Sequence, residues 1–286
     1  MKSKWIRAGA AVLLMAGLLG TGYIESHKER ALNTIDASAI ATTLSAELGS
    51  ENEEVPAQLL MCSTSTSQIE TFRYWLYTPK NPVENMPLIV YLHGSSGKGD
   101  DLNILMNEDG FPQYLKNSQL GDVPAYILIP QLPTEKRGWA SVSQSVYQLI
   151  SETVSTYQID SDNISLTGHS MGGTGTWNLA AQYPQMFARI APLSGSARGQ
   201  AAQLEALKDI PVWAFIGSDD TVILPEYSEN AVSELNALGG NAQITIFEGA
   251  DHFAVPSQTY LDPSISLVNW LIGNDAEKEN DNETVL

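Results

Sequence analysis

Six short apolar runs, each stopping at a glycine or a proline, constrain this chain more than any other feature: "PLIVYLHG", "AYILIP", "ISLTG", "RIAPLSG", "VWAFIG" and "QITIFEG". A strand with one wet face alternates apolar and polar residues, whereas an unbroken apolar run suits a parallel strand buried on both faces. Amphipathic stretches separate the runs. In "SVSQSVYQLISETVSTYQ", Val142, Val146, Leu149, Ile150, Val154 and Tyr157 recur at three- and four-residue spacing and form one apolar helical face. A second helix is expected from Ser170 until Pro184 stops it, and a third in "PEYSENAVSELNAL" before Gly239 and Gly240. Strands alternating with helices predict an α/β fold, a mostly parallel sheet with helices on both faces. The pair "QLLMCSTS" and "ETFRYWLYTP", rich in Thr and aromatics, predicts an N-terminal antiparallel hairpin at the sheet edge.

The ends of the chain follow other patterns. Lys2, Lys4 and Arg7 precede "AGAAVLLMAGLLGTGYI", residues 8–24. A positive segment followed by an apolar one is an export signal, and its basic end stays on the cytoplasmic side. The run reaches the length of the shortest membrane-spanning helices. No small-x-small site follows it directly, and "ASA" at Ala37–Ala39 lies far downstream, so cleavage and retention as an anchor both stay open. The expected organisation is a signal peptide or membrane anchor over 1–30, a polar spacer over 31–56, the α/β domain over 57–272 and an acidic disordered tail over 273–286. The α/β domain is therefore expected outside the cytoplasm, secreted or anchored to the outer face of the membrane.

Charge narrows the partners. A formal net charge of −18 repels nucleic acid and anionic membrane surfaces. The single cysteine, Cys62, excludes an internal disulfide framework and a cysteine-rich zinc site.

The stretch "LTGHSMGGTGTW" places Ser170 among Gly168, Gly172, Gly173 and Gly175. A strand-to-helix turn tight enough to expose one hydroxyl needs small neighbours where backbones cross, and GxSxG supplies them. A bare match is weak. Here a strand, "NISLT", precedes it and a helix follows, as the turn requires. The competing glycine readings fail on spacing: "GTG" lacks the third glycine of a dinucleotide fingerprint, and "SSGKGD" has Leu92 where a phosphate loop needs its first glycine.

A serine nucleophile needs a base, and the chain has four histidines. His27 lies in the spacer, His93 ends a strand, and the side chain of His169, adjacent to the serine, should point away from its hydroxyl. His252, in the loop after the last apolar strand, can reach back over the sheet. An orienting carboxylate follows the preceding strand in "FIGSDDTVILP", where Asp219 and Asp220 are both available. The order Ser, Asp, His is that of enzymes built on a GxSxG turn. Backbone N–H groups must also face the developing oxyanion. Met171 offers one, and the loop after "YLHG" offers another, with Ser95 the first candidate and Ser96 the second. Trp139 is expected to wall an open cleft, since the segments 195–211 and 222–243 have room for about one helix each and no large lid.

At these residues the chain resembles the α/β-hydrolase family, in its esterase and predicted-peptidase branch related to dienelactone hydrolases. "PLIVYLHGSSGKGDD", "ILIPQLP" and "ISLTGHSMGGTGTWNLAAQYPQMFARIAPLSG" match that branch in order and spacing. The resemblance implies Ser170 as nucleophile, Asp220 as acid and His252 as base, with no metal and no cofactor. Asp220 fits the family frame formed with Gly217, Val222 and Pro225, although the Val-to-Pro spacing is longer here. The implied function is an exported serine hydrolase cleaving small-molecule carboxylic esters through an acyl-enzyme. The alternatives are a serine peptidase acting on short peptides and a non-catalytic extracytoplasmic binding protein on the same fold.

Overall fold

The structure, a computed structural model, describes residues 35–36, 56–63, 72–107, 110–197 and 201–274. The expected signal or anchor, nearly all of the spacer and the tail beyond Asn274 lie outside the described residues. The chain divides at Ile35, and everything below concerns the second unit, residues 36–286.

Eight strands between residues 58 and 247 lie side by side: β1 (Gln58–Ser63), β2 (Arg73–Thr78), β3 (Leu88–Leu92), β4 (Tyr126–Pro130), β5 (Ile164–His169), β6 (Arg189–Leu193), β7 (Val212–Gly217) and β8 (Ala242–Phe247). Their order across the sheet is β1-β2-β4-β3-β5-β6-β7-β8. Strand β2 runs antiparallel to both β1 and β4, and every other pairing is parallel. The predicted hairpin partners pair in register from Gln58 with Thr78 to Ser63 with Arg73.

Helices α1 (Phe111–Lys116), α2 (Ser143–Tyr157), α3 (Met171–Gln182), α4 (Ala201–Leu204), α5 (Pro225–Ala237), α6 (Val255–Tyr260) and α7 (Leu267–Leu271) complete three layers. All five residues of β3 are buried, and the pleat divides them between two cores. Leu88, Val90 and Leu92 share one with Val146, Leu149 and Ile150 of α2, Trp177 of α3 and Leu235 of α5. Ile89 and Tyr91 share the other with Phe111 and Tyr114 of α1, Tyr260 of α6 and Leu271 of α7. Burial on both faces is why the runs read as continuous rather than alternating.

One crossing fixes the geometry that matters for chemistry. The first turn of α3 lies against the end of β3 so closely that a Cβ on Gly172 would sit 1.8 Å from the Leu92 carbonyl oxygen, and one on Gly168 would sit 2.5 Å from it. Any side chain at either position would push β5 and α3 off the sheet. The absence of both side chains holds Ser170 at the carboxyl end of the central strands, where sites in such sheets form. Between β6 and β7 and between β7 and β8 the described residues hold α4, one 3-10 turn (Glu205–Leu207) and α5.

Candidate active site

Ser170 sits between β5 and α3 at φ 59°, ψ −117°. An L-residue there is strained by about 1–3 kcal/mol, and it persists only where its surroundings over-determine it. They do so here. The Ser170 N–H donates to the Leu193 carbonyl at 2.9 Å, and its own carbonyl accepts from Thr174 N–H at 2.9 Å, closing the first turn of α3. The side chain is thereby presented above the sheet.

His252 arrives from the loop between β8 and α6, and its Nε2 lies 2.8 Å from Ser170 Oγ. On the other side of the ring, Nδ1 lies 2.7 Å from Asp220 Oδ2. An ionised carboxylate only accepts, so Nδ1 carries the proton and Nε2 is left to accept from the serine hydroxyl. The second oxygen of Asp220 is also occupied: Oδ1 accepts from the backbone N–H groups of Val222 at 2.9 Å and Ile223 at 2.8 Å. Those bonds fix the carboxylate's orientation in a place where Asp220 and His252 are only 2% and 3% exposed. Asp219 faces solvent and accepts from the Ser218 hydroxyl at 3.0 Å, inside its own turn.

His169, expected to turn away from the Ser170 hydroxyl, packs against the neighbouring imidazole. Its Nε2–H donates to the His252 carbonyl at 2.9 Å, and the two ring centres are 4.7 Å apart. Burial, joined by the neighbouring His252, lowers the His169 pKa to about 4, so the ring is neutral over the ordinary pH range. It tethers the backbone that carries His252. Nothing local in "GHSMG" signals this contact, because its partner lies 83 residues away.

The loop after β3 passes beside the serine: a Cβ on Gly94 would lie 3.6 Å from Ser170 Cβ. Ser95 and Ser96 open a short 3-10 turn, Ser95–Gly97, and both are exposed. Met171 is the first residue of α3, so its N–H has no acceptor within the helix. The glycine-rich loop is held from four directions. Gln131 donates to the carbonyls of Gly97 at 3.0 Å and Asp101 at 2.9 Å. Buried His93 donates from Nδ1 to the Gly94 carbonyl at 2.6 Å and accepts at Nε2 from Leu132 N–H at 2.9 Å. Arg73 donates to the Asp100 carbonyl.

Trp139 supplies the fourth tether, which corrects the expectation of a cleft wall. It is 3% exposed, its indole N–H donates to the His93 carbonyl at 3.0 Å, and its ring meets His93 edge-on at 4.9 Å. A Cβ on Gly175 of α3 would lie 2.8 Å from the Trp139 side chain. The indole is thus packed beneath the loop rather than lining an open cleft. Among the described residues no group of three His, Cys, Asp or Glu side chains could hold a metal ion, and Cys62 is buried and forms no disulfide.

Comparison with known proteins joins this geometry to a family. The family model Esterase, described as "Putative esterase", matches residues 71–247 of the 286. The bifunctional acetylxylan esterase/xylanase XynS20E of Neocallimastix patriciarum is 28% identical over 157 residues, 52% of this chain and 21% of that protein. Acetylxylan esterase A of Aspergillus ficuum is 28% identical over 183 residues, 56% of this chain and 55% of that one. The chain thus spans about half or less of the length of these curated relatives. A crystal structure of a thermostable esterase superposes with a TM-score of 0.65 at 29% identity, over 75% of this chain and 62% of that chain. The strand order with its one antiparallel member, helices on both faces and this neighbour together give the α/β-hydrolase fold, and the match over 71–247 shows that the chain belongs to the Esterase family.

Proposed function

We propose that the protein is a serine hydrolase that cleaves carboxylic esters through an acyl-enzyme intermediate. One observation carries the reading: Asp220, His252 and Ser170 form an unbroken hydrogen-bonded chain that ends on a hydroxyl held in a strained turn. Ser170 Oγ attacks the ester carbonyl carbon while its proton passes to His252 Nε2. The Asp220 carboxylate holds the imidazole in the required tautomer and stabilises its charged form. The carbonyl oxygen, now negative, meets the N–H of Met171 and one from the loop at Ser95. Collapse breaks the bond to the alcohol, whose oxygen takes the proton from Nε2. Water then repeats the sequence on the acyl-enzyme, releasing the acid and restoring Ser170.

Replacing the nucleophile tests this. Ser170→Ala should lower hydrolysis of p-nitrophenyl acetate by about 10⁴-fold or more with an unchanged circular dichroism spectrum, as loss of a triad member leaves only residual catalysis. Near-wild-type turnover in a folded Ser170→Ala protein would move the chemistry elsewhere.

Export is the companion proposal, supported by Lys2, Lys4 and Arg7 before the apolar segment 8–24. Among the described residues no helix is long and apolar enough to cross a membrane, and 8–24 lies outside them. Protease added to intact cells should digest the domain unless the envelope shields it, and an outer-membrane permeabiliser should then expose it. A domain that survives until the cytoplasm itself is opened would contradict export.

A further inference from the structure

We propose that Phe253, Val222 and Leu224 form the subsite for the alcohol part of the ester, and that this subsite selects alcohols presenting a broad apolar ring face. The proposal rests on the reading of Ser170, Asp220 and His252 given above. Among the described residues six large hydrophobic side chains are exposed: Val83, Tyr147, Val222, Leu224, Leu238 and Phe253. Three of the six lie on the two loops that carry the acid and the base. Phe253 is 70% exposed, Val222 56% and Leu224 38%. Scattered apolar residues on a surface need no explanation, but three exposed on the two loops that carry Asp220 and His252 do.

Two of the three touch the site directly, Phe253 through its ring and Val222 through its backbone N–H. The Phe253 ring stands perpendicular to the His252 imidazole, with centres 5.3 Å apart. Its backbone is fixed by Asp251, whose Oδ1 accepts from the N–H groups of Phe253 and Ala254, each at 3.0 Å. Val222, two residues after Asp220, donates its own N–H to Asp220 Oδ1, which fixes its backbone beside the carboxylate. Leu224 follows two residues later, directly before Pro225 opens α5. Both loops therefore display apolar side chains from anchored backbone.

Chemistry decides which half of the substrate they meet. The proton held by His252 Nε2 must pass to the departing alcohol oxygen, so that oxygen lies within hydrogen-bond reach of the imidazole when the intermediate collapses. The carbonyl oxygen faces the Met171 N–H instead. Whatever is attached to the alcohol oxygen continues outward past the imidazole, toward Phe253. A methyl or ethyl group is too small to cover that ring, whereas a six-membered ring covers it and gains contact in the transition state as well as on binding.

The test compares acetate esters of primary alcohols with similar leaving ability, ethyl, cyclohexylmethyl and benzyl acetate, using wild type, Phe253→Ala and Phe253→Trp. Wild type should hydrolyse both ring esters with kcat/KM about tenfold or more above ethyl acetate, a discrimination in the range that apolar pockets reach. Phe253→Ala should bring that ratio close to one, and Phe253→Trp should keep it. With ethanol as the constant alcohol, the ratio of ethyl acetate to ethyl butyrate should be the same in all three proteins. The proposal is overturned by a wild-type ratio near one, by equal losses on every ester in Phe253→Ala, or by a change confined to the acyl series. If wild type cleaves none of the acetates, or Ser170→Ala cleaves them as well as wild type, the underlying reading of the site fails and the subsite fails with it. Wild-type hydrolysis that needs Ser170 but ignores Phe253 sinks the subsite alone.

Discussion

Asp220 differs from Asp219 in what surrounds its carboxylate. One oxygen meets His252 and the other meets two backbone N–H groups, while Asp219 spends its contact on a neighbouring serine in the same exposed turn. An amide at position 220 could present its NH₂ to Nδ1 and favour the wrong imidazole tautomer. Asp220→Asn should therefore lower kcat by about 10⁴-fold, and Asp219→Asn should change kcat by about twofold or less. Kinetics on variants with matched melting curves check the ranking, and the reverse order would give the orienting position to Asp219. Much of this site is legible in the amino-acid sequence alone. GHSMG is a local spacing, and His252 stands out by elimination among four histidines. The choice within the Asp pair needs a family frame, because two adjacent carboxylates in a turn look alike until backbone donors are placed around one of them. His169 escapes a local reading for a different reason. Its partner is a carbonyl that the fold delivers from 83 residues away.

At the scale of elements, the strands are readable from sequence and the loop after β3 is not. Burial on both faces leaves an imprint on every residue of a strand. Gly, Ser and Asp in a row carry no such imprint, and what holds this loop comes from Arg73, Gln131, Leu132 and Trp139 on three other segments. Trp139 illustrates the loss: an aromatic after a strand end suggests a wall, but only the closeness of Gly175 and His93 shows it is packed away. The loop also carries a pH signature. Burial lowers the pKa of His93 to about 4, and that of His169 is likewise lowered to about 4. An unfolded histidine binds its proton near pH 6.5, so between about 6.5 and 4 the unfolded chain holds more protons than the folded one. Stability is fully present above that window and is lost as pH falls through it. The melting temperature of wild type should carry this loss, superimposed on the change as the net charge of −18 approaches neutrality near pH 4.4. His93→Gln keeps one donor and one acceptor but cannot titrate. It should melt lower at pH 7 and lose less on acidification to pH 4.5. Parallel pH slopes for the two proteins would show that His93 is not the source.

Across the α/β unit, strained Ser170 stands where three layers meet at the carboxyl end of a mostly parallel sheet. The first core, with α2, α3 and α5, sets the height of α3 against β3 and so the position of Ser170. The second, with α1, α6 and α7, anchors the helix that follows the His252 loop, through Val255 and Tyr260. Asp220, His252 and Ser170 thus come from segments after three strands, β7, β8 and β5, and their agreement within hydrogen-bond distance depends on the packing of both cores. That interdependence makes covalent capture of Ser170 the most direct test of its proposed role as nucleophile. Folded protein treated with a fluorophosphonate should gain one adduct, mapped by mass spectrometry to Ser170, and hydrolysis of p-nitrophenyl acetate should fall in proportion to the fraction labelled. His252→Ala should label far more slowly, because the hydroxyl then lacks its base. An adduct on another serine, or full hydrolysis by protein already labelled at Ser170, would contradict it.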